Sequence, residues 1–95
     1  MNHKIKIGIL AESKEEAIEF CKDITKQNDG YNNSTNNSVI LETPFCVFIR
    51  LPKENSCGSR VNYIYAKKED VGTEYFKTVI LPMCFCGIGI INKGE

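Results

Sequence analysis

The residues best suited to chemistry gather in "CGSRVNYIYAKKED", Cys57 to Asp70. A Gly-Ser-Arg turn feeds a strand-like run in which Val61, Tyr63 and Tyr65 alternate with Asn62, Ile64 and Ala66. Lys67, Lys68, Glu69 and Asp70 follow at once. Carboxylates at the end of a strand are hard oxygen ligands, placed where a sheet can offer them to magnesium and a phosphate. Here a lysine stands at the strand's end, and an ammonium group in a ligand position repels the ion. The two carboxylates come three residues late.

Other reactive patterns are incomplete. The phosphate-cradling run G-x-x-x-x-G-K-[ST] does not occur. "CGIGII" near the C-terminus has G-x-G spacing, but it lacks the third glycine and the following helix of a dinucleotide fingerprint. His3 is the one histidine, and no Ser or Cys is marked as its partner in a triad. Five cysteines (21, 46, 57, 84 and 86) are an odd number, which argues for free thiols over a disulfide framework. Cys84 and Cys86 form C-x-C, which puts both thiols on one face of a strand, yet zinc needs two further ligands. Cys57, next to a glycine, is the candidate exposed nucleophile, but no base accompanies it. No catalytic residue, metal or cofactor is expected.

These residues must be positioned by a small set of elements. "KIKIGILA" predicts a strand with Ile5, Ile7 and Ile9 on one face and Gly8 and Leu10 on the other. A helix from Lys14 to about Gln27 follows, opened by Ser13 and Glu16 as a capping box in which the Glu16 carboxylate returns to the N–H of Ser13. Ala17, Phe20, Cys21 and Ile24 form its apolar face. Glu12, Glu15, Glu16 and Glu19 suit the positive end of the helix dipole and read as helix-start chemistry. Asn28-Asp29-Gly30 is expected to close the helix. The polar stretch 28–38 reads as a flexible surface loop, with Tyr31 its candidate contact residue.

"VILETPFCVFIRLP" predicts two strands broken at Thr43-Pro44, the second running from Phe45 to Leu51 and central. "TEYFKTVIL" predicts a second helix, with Thr73 as its cap and Pro82 as its end. "MCFCGIGIIN" predicts a closing strand. The expected fold is a single α/β domain over residues 1–95, with a mixed sheet of four or five strands, two helices and the order β-α-β-β-β-α-β. The strands 4–10 and 61–66 should be parallel neighbours or one strand apart.

The totals limit the function. Ninety-five residues make one domain, and a formal net charge of zero gives no global pull toward nucleic acid or an anionic membrane. No segment approaches the roughly 20 apolar residues of a membrane helix. The N-terminus lacks the apolar region and cleavage site of a signal peptide, so a cytoplasmic location is expected.

"IGILAESKEEAIEFCKDI" followed by "CGSRVNYIYAKKED" resembles the core of P-loop ATPases of the phage terminase or helicase type. In that family a strand with a small-Ser/Thr turn leads to a helix, as Ala11 and Ser13 do here. A Gly-Arg segment then precedes an aliphatic strand ending in a magnesium-binding acidic pair, matched in outline by "GSR" and "VNYIY". This chain lacks the family's phosphate-binding loop, and Ala66-Lys67 stands where the acidic pair belongs. The resemblance implies a degenerate nucleotide-hydrolase outline without its site.

Three functions are compatible with these features. The leading one is a small non-catalytic phage or prophage protein that binds a host or phage protein, in one version as an anti-CRISPR-like inhibitor of a host defence system. Ten lysines against two arginines, with many Ile and Asn, fit an AT-rich source of that kind. The second is a nucleic-acid-binding module using Arg50, Lys53, Arg60, Lys67 and Lys68, with Tyr63 and Tyr65 as stacking platforms, although core positions suit those tyrosines better. The third is an enzyme with an unrecognised site. Arg50, Arg60, Lys67, Lys68 and Tyr31 are the candidate binding residues, and Ile88 and Ile90 the candidate interface of a homodimer.

Overall fold

The computed structural model describes residues 4–34, 37–54 and 60–92. His3, Cys57, Gly58 and Ser59 lie outside the described residues, as do Thr35 and Asn36 of the polar loop. The chain forms β1 (Ile5–Leu10), α1 (Lys14–Thr25), β2 (Val39–Glu42), β3 (Cys46–Leu51), β4 (Val61–Lys67), the one-turn α2 (Lys68–Val71) and β5 (Cys84–Ile91). A wide π turn, Phe76–Ile80, and a tight 3-10 turn, Leu81–Met83, precede β5. The five strands form one mixed sheet in the order β2-β3-β1-β4-β5, in which β2 alone runs antiparallel. β1 and β4 are parallel neighbours, pairing Ile7 with Tyr63 and Ile9 with Tyr65. The fold class expected from the hydrophobic patterns is the one found.

Each face of the sheet has its own core. On one, α1 buries Ala17, Ile18, Phe20 and Cys21 against Ile9, Ile40, Leu41 and Phe48. On the other, Phe76, Ile80 and Met83 cover Leu10, Leu51, Val61, Ile64 and Ala66. Gly8 marks the tightest approach on this second face, since a Cβ there would stand 2.5 Å from Leu51 Cδ1 and 3.0 Å from its Cγ. α1 covers β2, β3 and β1 but leaves the far side of its face to two tyrosines. Tyr65 lies over Gly89, where any Cβ would collide with its ring, and Tyr63 lies over Gly87. Aromatic rings from β4 thus fill what the glycines of β5 leave empty, the cross-strand cover that glycines near a sheet edge need.

Local chemistry departs from the sequence reading in four places. Ser13 Oγ accepts from Glu16 N–H at 3.1 Å, but the Glu16 carboxylate returns to the N–H of Glu12, not to that of Ser13. α1 ends at Thr25, ahead of Asn28-Asp29-Gly30, because Lys26 takes the left-handed conformation (φ 63) and sends its N–H to Lys22 O. The third strand begins at Cys46, which leaves Phe45 in the turn before it. The second helical segment is not a regular α-helix. Thr73 caps it as expected, its hydroxyl accepting from Phe76 N–H at 3.1 Å. Pro82 then has no N–H to offer, and its ring would meet the carbonyl four residues back, so the backbone widens into the π turn ahead of it.

Candidate functional site

The C-terminal rim of the parallel strands is where open α/β sheets hold ligands, and β1 and β4, whose connections leave in opposite directions, make the crossing point here. Arg50, Lys53, Asp70 and Glu12, among the charged residues flagged by the sequence, lie at this rim, each engaged with another of them or with a backbone carbonyl. Arg50, at the end of β3, donates from Nε to Ala11 O at 3.1 Å and from Nη2 to Glu12 O at 2.6 Å. Its fork therefore closes the carbonyls that β1 leaves open. Lys53 sits 3.1 Å from Asp70 Oδ2 and 4.0 Å from Glu12 Oε1. Burial disfavours the charge on Lys53, but Asp70, joined by Glu16 and Glu12, outweighs that and raises its pKa above the ordinary lysine value. Asp70, one of the two carboxylates that follow β4, thus turns back to meet a lysine. A shallow cleft of about 350 Å³ remains between Glu12, Arg50, Pro52, Lys53 and Glu54.

The other candidates do not converge there. Lys67 Nζ stands 5.5 Å from the centre of the Phe20 ring, a cation–π contact on the α1 face. Lys68 is exposed on α2. Arg60 lies at the opposite end of the sheet, just before β4, with its guanidinium 5.5 Å from the Phe85 ring. A continuous basic track would need Arg60 beside the other cations, and the topology puts the length of β4 between them. Tyr31 is half-buried against the α1 core, donating to Gln27 O at 2.6 Å and sharing a 3.2 Å hydrogen bond with Thr25 Oγ1. It fastens the start of the polar loop to the end of α1. Lys14 Nζ fastens its far end, reaching Ser34 O at 2.5 Å and Asn37 O at 2.6 Å.

Four of the five cysteines are described, and none is in a disulfide. Cys21 is sealed in the α1 core, where burial pushes its thiol up to about 11. That is the inert thiol expected there. Cys86 is exposed on β5. Among the described residues no three His, Cys, Asp or Glu side chains are grouped as a metal site needs. No described helix is long and apolar enough to cross a membrane.

The feature that residue types alone did not mark is the N-terminal rim of the sheet. Phe45 is 78% exposed, Phe85 62% and Ile5 42%. Phe45 owes its position to the turn between β2 and β3. Thr43 N–H donates to Cys46 O at 2.8 Å, and Thr43 Oγ1 accepts from Cys46 N–H at 2.9 Å and from Phe45 N–H at 3.3 Å. This threonine-closed turn pushes Phe45 outward. Ile5 N–H donates to Phe45 O at 3.0 Å and ties the turn to the start of β1. Phe85, the second residue of β5, lies two strands further on, about 10 Å from β1. The turn chemistry of Thr43-Pro44 was the available signal, though an aromatic before an apolar strand reads more naturally as part of it.

Comparison with protein-family models, with curated proteins and with solved structures finds no match for this chain.

Proposed function

We propose that this protein acts by binding another protein through the N-terminal rim of its sheet, with the Phe45 ring entering an apolar hollow on the partner, and catalyses no reaction. One observation carries this reading: Phe45, an aromatic residue 78% exposed to water, on a turn closed by four hydrogen bonds among Thr43, Phe45 and Cys46. Exposed apolar surface gathered in one place marks interaction sites, and an aromatic anchor held in position before binding loses little entropy on docking. The charged C-terminal rim supports the same reading from the other side, because Arg50, Lys53 and Asp70 are engaged in holding the strands' ends. In its concrete form the protein is a phage or prophage factor, cytoplasmic, that blocks a host defence component; the Lys-, Ile- and Asn-rich composition supports that source.

The test is a side-by-side capture from host lysate with the unmodified protein, Phe45→Asp and Lys68→Glu. A partner retained by the unmodified protein and by Lys68→Glu, but lost with Phe45→Asp, is the expected result. Loss with Lys68→Glu and retention with Phe45→Asp would move the binding surface to the charged rim.

A further inference from the structure

The two edges of the sheet are finished differently. β2 has four residues, its register against β3 slips between Val39 and Leu41, and Glu42 at its end is in an ion pair with Lys4 at 2.6 Å. Thr43-Pro44 then turns the chain away. Short length, irregular pairing, charge and proline are the devices by which natural sheets prevent another strand from adding on. β5 shares only one of them, a register shift against β4 between Val61 and Tyr63 near its start, and from Gly87 to Ile91 its pairing is unbroken. It runs eight residues, hydrogen-bonds to β4 along one side, and contains no charged residue or proline from Cys84 to Ile91. Ile88 and Ile90 remain 43% and 42% exposed on the face of Ile64 and Ala66.

We infer that this edge is covered by β5 of a second copy, paired antiparallel across a two-fold axis so that the two sheets become one. A two-fold contact requires that the same patch fit itself. β5 meets that condition, since with no charge on the strand no like charges come to face each other, and the chain carries no net charge to oppose the approach. If the axis passes through Ile88, this residue meets its own copy and Ile90 meets Cys86 of the other chain. On the opposite face Gly87 then meets Gly89, with the Tyr63 and Tyr65 rings already lying over those glycines. A foreign strand would have to be selected by some feature, yet Cys84–Ile91 offers no charged, hydroxyl or amide side chain for that purpose. The copy needs none. A strand pair about 26 Å long buries less than the roughly 800 Å² per partner of a stable interface. The dimer is therefore expected to form at micromolar rather than nanomolar protein.

Sedimentation velocity across that range tests the pairing, together with the alkylation rate of Cys86 read by peptide mass spectrometry on the unmodified protein. The expected result is a monomer-to-dimer rise in mass, with Cys86 labelling slowing several-fold in step. Ile88→Lys should stay monomeric with an unchanged far-UV circular dichroism spectrum. Phe45→Asp should still dimerise, because Phe45 lies in the turn between β2 and β3, at the other edge of the sheet from β5. A monomer at every concentration would overturn the inference. So would a dimer in which Cys86 labels at the monomer's rate, a result that needs no variant to fold.

Discussion

The two ends of the parallel sheet carry opposite kinds of surface. At the C-terminal end Arg50, Lys53, Asp70 and Glu12 lie within hydrogen-bond or ion-pair reach of one another or of the β1 carbonyls. At the N-terminal end Ile5, Phe45 and Phe85 are exposed, with the Arg60 guanidinium over the Phe85 ring. Charge that is already paired stabilises the fold, and apolar surface left in water is a cost that binding can remove. The residues that look most chemical in the sequence are on this account structural. The ones that look most like core are the exposed anchor.

If that contrast is right, damage at the charged end should appear first as lost stability. Arg50→Ala removes two hydrogen bonds from a guanidinium and leaves the Ala11 and Glu12 carbonyls without them. A loss of about 2–3 kcal/mol is expected from the urea midpoint, since hydrogen bonds to charged groups contribute about 1.5–3 kcal/mol each and these are partly exposed. Arg50→Lys should recover only part of it, because an ammonium cannot reproduce the fork. A fully stable Arg50→Ala would free Arg50 to be a binding residue after all.

Gly8→Ala examines the packing between the two ends. The added methyl would press on Leu51, which is 2% exposed inside the second core and has little room to yield. Overpacking of this kind costs about 1–3 kcal/mol. A neutral or stabilising result would show that Leu51 has a second rotamer available, and that the core over Val61 and Ile64 is looser than described.

The buried Cys21 thiol gives a pH-dependent effect of similar or smaller size. Its folded pKa is raised from 9.0 to about 11, so the folded state holds the proton that the unfolded chain has already released. That contribution is complete below pH 9 and is lost as pH rises toward 11, at most about 2–3 kcal/mol by linkage. The stability gap between the unmodified protein and Cys21→Ala should therefore be constant near neutrality and change, in favour of the alanine variant, over that alkaline interval. A gap that does not move with pH would place Cys21 in a wetter environment.

Much of the scaffold was legible because it depends on short-range signals. Ser13 and Glu16 announce the start of α1, Ala17, Phe20 and Cys21 its buried face, and the alternation after Arg60 a strand beside β1. The failures come where one residue's role depends on a distant partner. Nothing local says that Lys26 will take a left-handed turn before Gly30, or that Pro82 will be absorbed by a π turn. The apolar run of β5 reads equally as a central strand or as an edge, and only Tyr63 and Tyr65 lying over Gly87 and Gly89 explain how it stays at the edge. The candidate site was less legible still. Arg50, Lys67, Lys68 and Arg60 look alike in sequence, whereas the strand directions put Arg60 at the other end. Phe45 gave no sign of exposure because its position depends on the hydrogen bonds of the Thr43 turn.

The most direct measurement sets Phe45→Asp beside Arg50→Ala in the same urea titration. Phe45, 78% exposed as a residue, should be replaceable at a stability change within about 0.5 kcal/mol, as for an ordinary surface position, while Arg50→Ala loses several times that. The reverse order, with Phe45→Asp unfolding at markedly lower urea and Arg50→Ala unaffected, would make Phe45 part of the fold and contradict the assignment of binding to the apolar end.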